Sequence, residues 1–223
     1  MSRDELLAKL GTQIAPELLE LALTHSSYAY ENGGANNERL EFLGDSVLGY
    51  LVAAEVFRRF PDAAEGDLTR VKNSVVSAPA LATAANRIQL GSHLLLGKGE
   101  KSSGGASKVN VLADAFEALI GAAFIDRGID SASAIVSGHI FPLIDSPEAI
   151  RESSDPKTAL LELAQRSGME PISYEITAAG PEHERVYTAT CFSGERNLGS
   201  GSAGTKRAAE TEAAKLALAE LSK

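Results

Sequence analysis

Val111-Leu112-Ala113-Asp114-Ala115-Phe116-Glu117-Ala118-Leu119-Ile120-Gly121 is a helix-forming run that would be wholly apolar but for two carboxylates three residues apart. Ionised carboxylates are costly to bury unless something positive offsets them. Leu112, Phe116, Leu119 and Ile120 cover most of the helix circumference, so Asp114 and Glu117 fall at or near the core. A second acidic stretch, Asn37-Glu38-Arg39-Leu40-Glu41-Phe42-Leu43-Gly44-Asp45-Ser46, places Glu38, Glu41 and Asp45 on one helix face. Alone it would be a solvated helix face. Together the two sets point to an external cation that offsets like-charge repulsion. Oxygen donors without His or Cys favour Mg²⁺, with Mn²⁺ able to substitute, over Zn²⁺. Glu65, in Ala63-Ala64-Glu65-Gly66-Asp67, is a further candidate for the same cluster.

Around these stretches, residues 1–145 read as almost entirely helical. Apolar residues recur at helical spacing in Leu18-Leu19-Leu21-Ala22, Leu40-Leu43-Val47-Leu48-Leu51, Val75-Val76-Leu81-Ala84 and Leu112-Phe116-Leu119-Ile120-Phe124. Gly33-Gly34 and Pro61-Asp62 mark turns, and Gly97 to Gly105 reads as a polar, mobile loop. Residues 146–154 are polar and proline-flanked, which suits a linker. Beyond it, a helix from Pro156 to about Gly168 precedes alternating stretches at Ser173–Ala178 and Val186–Phe192. A third lies near Arg196–Ser200, and a last helix runs from about Thr205 to Leu221. The expected architecture is an all-α domain (1–145), a linker (146–154) and an α-β-β-β-α domain (155–223).

Composition limits the partners. Hydrophobic residues make up 44% of 223, enough for two cored domains. No apolar run is long enough to span a bilayer, so no membrane partner is expected. The N-terminus has no signal-peptide h-region, and Cys191 is the single cysteine, which together suggest the cytoplasm. Net charge is −9, with 12 Lys and Arg against 19 Asp and Glu in residues 1–150, and 9 against 11 in residues 151–223. A nucleic-acid site must then be a local basic patch, or must mask its own carboxylates with metal.

The stretch Asn37–Ser46 resembles the signature of the ribonuclease III family. Thr24-His25-Ser26-Ser27-Tyr28, Glu65-Gly66-Asp67, Leu96–Glu100 and Leu112–Leu119 are similar to that family too, and in family order. The resemblance implies Glu41, Asp114 and Glu117 as metal ligands, with Asp45 an essential acid beside them. Asp45 and Glu117 become active-site residues, and Glu38 and Glu65 supporting acidic positions. It implies hydrolysis of both strands of double-stranded RNA, giving 5′-phosphate and 3′-hydroxyl ends with short 3′ overhangs, and processing of ribosomal and other precursor RNAs. It also implies a homodimer, with Leu40, Phe42 and Leu43 as interface candidates, and no organic cofactor. A divalent ion can activate water and stabilise the leaving oxygen. His25 reads as a helix-end histidine and not as the general base.

Asp155-Pro156-Lys157-Thr158, Leu160–Gln165, Gly180–His183 and Lys206–Glu210 resemble a double-stranded-RNA-binding domain. That resemblance implies Thr158, Glu162 and Gln165 at one minor groove, His183 at the next, and Lys206 and Arg207 at phosphate across the intervening major groove. This chain departs at Leu161, where Gln is common, and at Ala208, where a third charge is common. Gly199–Thr205 reads as a loop poor in basic residues. Two other readings stay open at this point: a duplex-RNA binder that does not cut, and a metal-dependent phosphohydrolase of small nucleotides. Glu41, Asp45, Asp114 and Glu117 are all present, which favours the nuclease.

Overall fold

A computed structural model describes residues 3–181 and 184–221. The chain divides into two compact units, residues 1–144 and 145–223.

The first unit is helical. In order come α1 (Arg3–Leu10), α2 (Pro16–Ala22), α3 (Ser26–Asn32), α4 (Glu38–Arg59), α5 (Glu65–Val75), α6 (Ala78–Arg87), α7 (Lys98–Ser102), α8 (Val109–Arg127) and α9 (Ile129–His139). Helix α8 is the central post and packs on α2, α4, α6 and α9. Its Leu112, Phe116, Leu119 and Ile120 are fully buried, as are Leu48 of α4, Leu81 of α6 and Ile135 of α9. Small Ala113, Ala115, Ala118, Ala122 and Ala123 let neighbours close around it on nearly all sides. The helix stops at Gly128, whose φ of +77° is a conformation open to glycine at little cost, and whose N–H reaches the Phe124 carbonyl at 2.9 Å.

The segment read as a mobile loop takes the helical turn α7 and is tied to α3. The Gly97 N–H donates to Ser27 Oγ at 3.0 Å and the Lys98 N–H to Glu31 Oε2 at 3.0 Å.

The second unit begins with a helix where a linker was expected. Residues 147–154 form α10 (Pro147–Ser154), which packs on the two helices that follow. Ser146 caps it by accepting the Ala149 N–H at 3.2 Å, and Pro147 occupies its first turn, where a missing N–H costs nothing. Then come α11 (Pro156–Arg166), β1 (Ile172–Ala179), β2 (Val186–Ser193), β3 (Arg196–Ala203) and α12 (Lys206–Leu221). The sheet is antiparallel in the order β1-β2-β3, with Tyr174 opposite Cys191 and Thr190 opposite Ser200. A bulge at Cys191/Phe192 shifts the β2-β3 register. Ala189, Cys191 and Leu198 face a core completed by Leu160, Ala213, Ala214, Ala217 and Leu218.

Strand β3 covers most of the stretch expected to be a loop. Gly199 and Gly201 carry the strand under α12, where a Cβ on Gly199 would lie 3.1 Å from the Ala217 nitrogen and one on Gly201 would collide with the backbone at Ala213. The glycines hide the strand's alternation while permitting close sheet-helix packing. Among the described residues no helix is long and apolar enough to cross a membrane.

Candidate metal centre and duplex-RNA face

The site is made where α4 crosses α8. Gly44 and Gly121 meet at the crossing: a Cβ on Gly44 would collide with the Glu117 carbonyl, and one on Gly121 with the Leu40 carbonyl. Without side chains there, the two backbones touch. Glu41 and Asp45 flank Gly44, and Glu117 stands one turn before Gly121. The crossing therefore draws acids from two helices together.

Carboxylate oxygens of Glu41, Asp114 and Glu117 all lie within 4.8 Å of one another, and each of these residues is half-buried. Burial pushes the Glu117 carboxyl up to about 8, helped by the charges of Asp45, Glu41 and Asp114. Glu41 is raised by burial and by Asp114, Glu38 and Asp45. Asp114 is raised by burial, against which the nearby His25 pulls it down. Among the described residues, no lysine or arginine forms an ion pair with these carboxylates. A half-buried acidic pocket of hard oxygen donors fits a hard divalent cation.

Asp45 and Glu38 are exposed beside the cluster; the charge of Asp45 raises Glu41 and Glu117, and that of Glu38 raises Glu41. Glu65 stands apart. It opens α5, is exposed, and accepts a bond from Thr69 Oγ1 at 3.2 Å, and its charge is not among those that shift the cluster.

His25 is a capping residue. Its Nδ1 accepts the Ser27 N–H at 3.2 Å at the start of α3 and lies 2.8 Å from Ser27 Oγ. Asn37 fixes the start of α4, a role the sequence reading missed. It is 4% exposed, its Nδ2 donates to the Ala22 carbonyl at 3.3 Å, and its own N–H donates to the Thr24 carbonyl at 2.9 Å. Gly44 and Gly121 were missed in the same way. Their signal was a glycine beside the acids in each of two otherwise good helices, where it costs about 1 kcal/mol unless close packing requires it.

The interface candidates differ in exposure: Leu40 is 4% exposed, Phe42 78%, and Leu43 is half-buried. All three line a groove of about 640 Å³ with Leu18, Leu21 and Ile125.

In the second unit, Thr158, Leu161 and Gln165 are exposed on one face of α11. Thr158 also serves the helix start, donating its hydroxyl to Asp155 Oδ2 at 2.7 Å. Glu162 is half-buried and paired, its Oε2 accepting from Arg151 Nη1 at 2.9 Å. Lys206 and Arg207 are exposed at the first turn of α12. His183 lies outside the described residues.

Residues 15–144 match the family model described as Ribonuclease-III-like, and residues 156–221 match the double-stranded RNA binding motif. The chain belongs to the ribonuclease III family. It is an endoribonuclease of double-stranded RNA by family and by architecture, an all-α nuclease unit followed by an α-β-β-β-α unit. A protein named Ribonuclease 3 from Leifsonia xyli subsp. xyli is 49% identical over 213 residues, covering 95% of this chain and 90% of that one. The crystal structure of the nuclease domain of ribonuclease III from Campylobacter jejuni superposes with a TM-score of 0.60 at 36% identity, covering 65% of this chain and 97% of that one. A second structure of that domain, at TM-score 0.58 and 34% identity over 70% of this chain and 99% of that one, is described for structural flexibility in a region involved in dimer formation. The ribonuclease III family is metal-dependent, in keeping with the carboxylate cluster here.

Proposed function

We propose that this chain cuts both strands of duplex RNA with Mg²⁺ held by Glu41, Asp114 and Glu117. The observation that carries the reading is the convergence of those three carboxylates, from two helices, in a chain that also bears a duplex-RNA-binding motif. The products are 5′-phosphate and 3′-hydroxyl ends with short 3′ overhangs. Ribosomal and other precursor RNAs are the substrates, and the cytoplasm is the compartment.

A bound divalent ion supplies the Lewis acidity that activates water and stabilises a leaving oxygen. The protein's part is placement and charge. Glu41, Asp114 and Glu117 present oxygens from a rigid crossing. Asp45 and Glu38, beside the cluster, add negative charge that draws the cation in. Glu117, whose carboxyl is raised by burial and by the neighbouring acids, would hold such an ion as a carboxylate, since a ligating oxygen must be deprotonated. Glu65, on a separate helix, supports placement of the substrate. Thr158, Gln165, Lys206 and Arg207 engage the A-form backbone and 2′-hydroxyls, with Glu162 beside them, and His183 enters the next groove. Phe42 and Leu43, with the groove they line, support a homodimer that gives each RNA strand its own site.

The test is cleavage by the full chain of a paired RNA against its unpaired strands. Wild type should cut only the duplex and only with divalent metal, and Glu117→Ala should bind the duplex without cutting it. A wild-type protein that cuts neither under varied salt, Mg²⁺ and Mn²⁺ would refute the reading.

A further inference from the structure

Helix α10 lies before the matched RNA-binding motif, which begins at residue 156. Nevertheless it packs on α11 and α12 within the same compact unit. Its one basic residue, Arg151, reaches across to Glu162. We propose that Arg151 is a positioning residue of the duplex-RNA face, which fixes the orientation and offsets the charge of Glu162, so that α10 is a working part of the RNA-binding unit. The proposal rests on the reading of Glu162 as an RNA contact.

The geometry supports it from both ends. Thr158, Leu161, Glu162 and Gln165 stand at i, i+3, i+4 and i+7 and share one side of α11. A bare carboxylate in that row would face the phosphate-bearing partner with the wrong sign. Arg151 Nη1 donates to Glu162 Oε2 at 2.9 Å, which leaves Oε1 to accept a ribose 2′-hydroxyl. The Arg151 side chain is 26% exposed and that of Glu162 43%, so the guanidinium is the better anchored of the two. Glu148 Oε1 lies 4.0 Å from Arg151 Nη2.

The helix that carries Arg151 is itself held. Ser146 caps its start, Pro147 is buried, and the Asp155 N–H closes on the Arg151 carbonyl at 2.8 Å as the chain turns into α11. The pairing also bears on the departure at Leu161, which is 46% exposed and offers no polar group. With one acceptor or donor missing from the row, the orientation of the remaining polar residue matters more.

The experiment is binding of a blunt RNA duplex to the full chain in chelator, so that no strand is cut. Arg151→Ala should weaken binding about threefold to tenfold, on the order of one charge-assisted contact. Arg151→Lys should recover part of that loss. Glu162→Ala should weaken binding as well, and the double variant should be no weaker than Glu162→Ala alone, since Arg151 acts through Glu162. Arg151→Gln, which keeps the packed stem, gives the same comparison if Arg151→Ala loosens α10. Weakened binding by Glu162→Ala with wild-type binding by the Arg151 variants would overturn the proposal alone. Wild-type binding by Glu162→Ala would overturn the reading of Glu162 and the proposal with it. Additive losses in the double variant would also overturn it, because a merely structural Arg151 would act independently of Glu162.

Discussion

Glu117 ties the chemistry of the site to the stability of the fold. Its carboxyl stands at about 8, well above its ordinary 4.5. A carboxyl raised on folding contributes stability that is complete below the ordinary value and is lost as pH rises through the folded one. The metal-free protein should therefore melt at progressively lower temperature as pH climbs from about 4.5 to about 8. Glu117→Gln removes this contribution. It should melt higher than wild type at about pH 9 in chelator and show no advantage near pH 4. Equal melting of the two proteins at the alkaline end would contradict the electrostatic account of the pocket. The acidic residues were legible in the sequence because carboxylates inside an apolar helix are anomalous on energetic grounds. The exposed position of Asp45, the separation of Glu65 and the pairing of Glu162 were not legible, because each depends on which helix lies opposite.

At the scale of helices, the crossing of α4 and α8 is what turns two acidic stretches into one pocket. Gly44 and Gly121 set its closeness, and each would drive a new side chain into the other helix's backbone. Gly44→Ala should therefore separate the helices, cost about 1–3 kcal/mol or more in chemical denaturation, and raise the Mg²⁺ concentration needed for cleavage. A variant with wild-type stability and metal dependence would show that the crossing does not set the site. Much of this level was readable from periodicity: α4, α8, α11 and α12 follow their apolar spacing. What escaped was short or glycine-rich. Helix α10 carries the capping pattern Ser146-Pro147-Glu148, yet only Ile150 and Pro147 give it an apolar side, so it resembled a linker. In β3, Gly199 and Gly201 replace the inward side chains by which alternation is recognised.

Across the whole molecule, an acidic chain handles an acidic polymer by dividing the work. One unit brings the carboxylates of Glu41, Asp114 and Glu117 together, which we propose hold a cation, and the other presents Lys206 and Arg207 at a helix start. In the homodimer we propose, the exposed Phe42 lies at the interface. Phe42→Asp should yield a monomer in sedimentation with helical content unchanged, and a variant that still sediments as a dimer would rule out this face as the interface. In the function we propose, Glu41, Asp114 and Glu117 hold the ion that makes cleavage possible. The most direct test is the rate of duplex-RNA cleavage against Mg²⁺ concentration for wild type and Asp114→Asn. Asp114→Asn should shift the Mg²⁺ requirement far upward or abolish cutting while duplex binding in chelator is retained. A variant that cuts with the wild-type Mg²⁺ dependence, or a wild type that cuts in chelator, would contradict it.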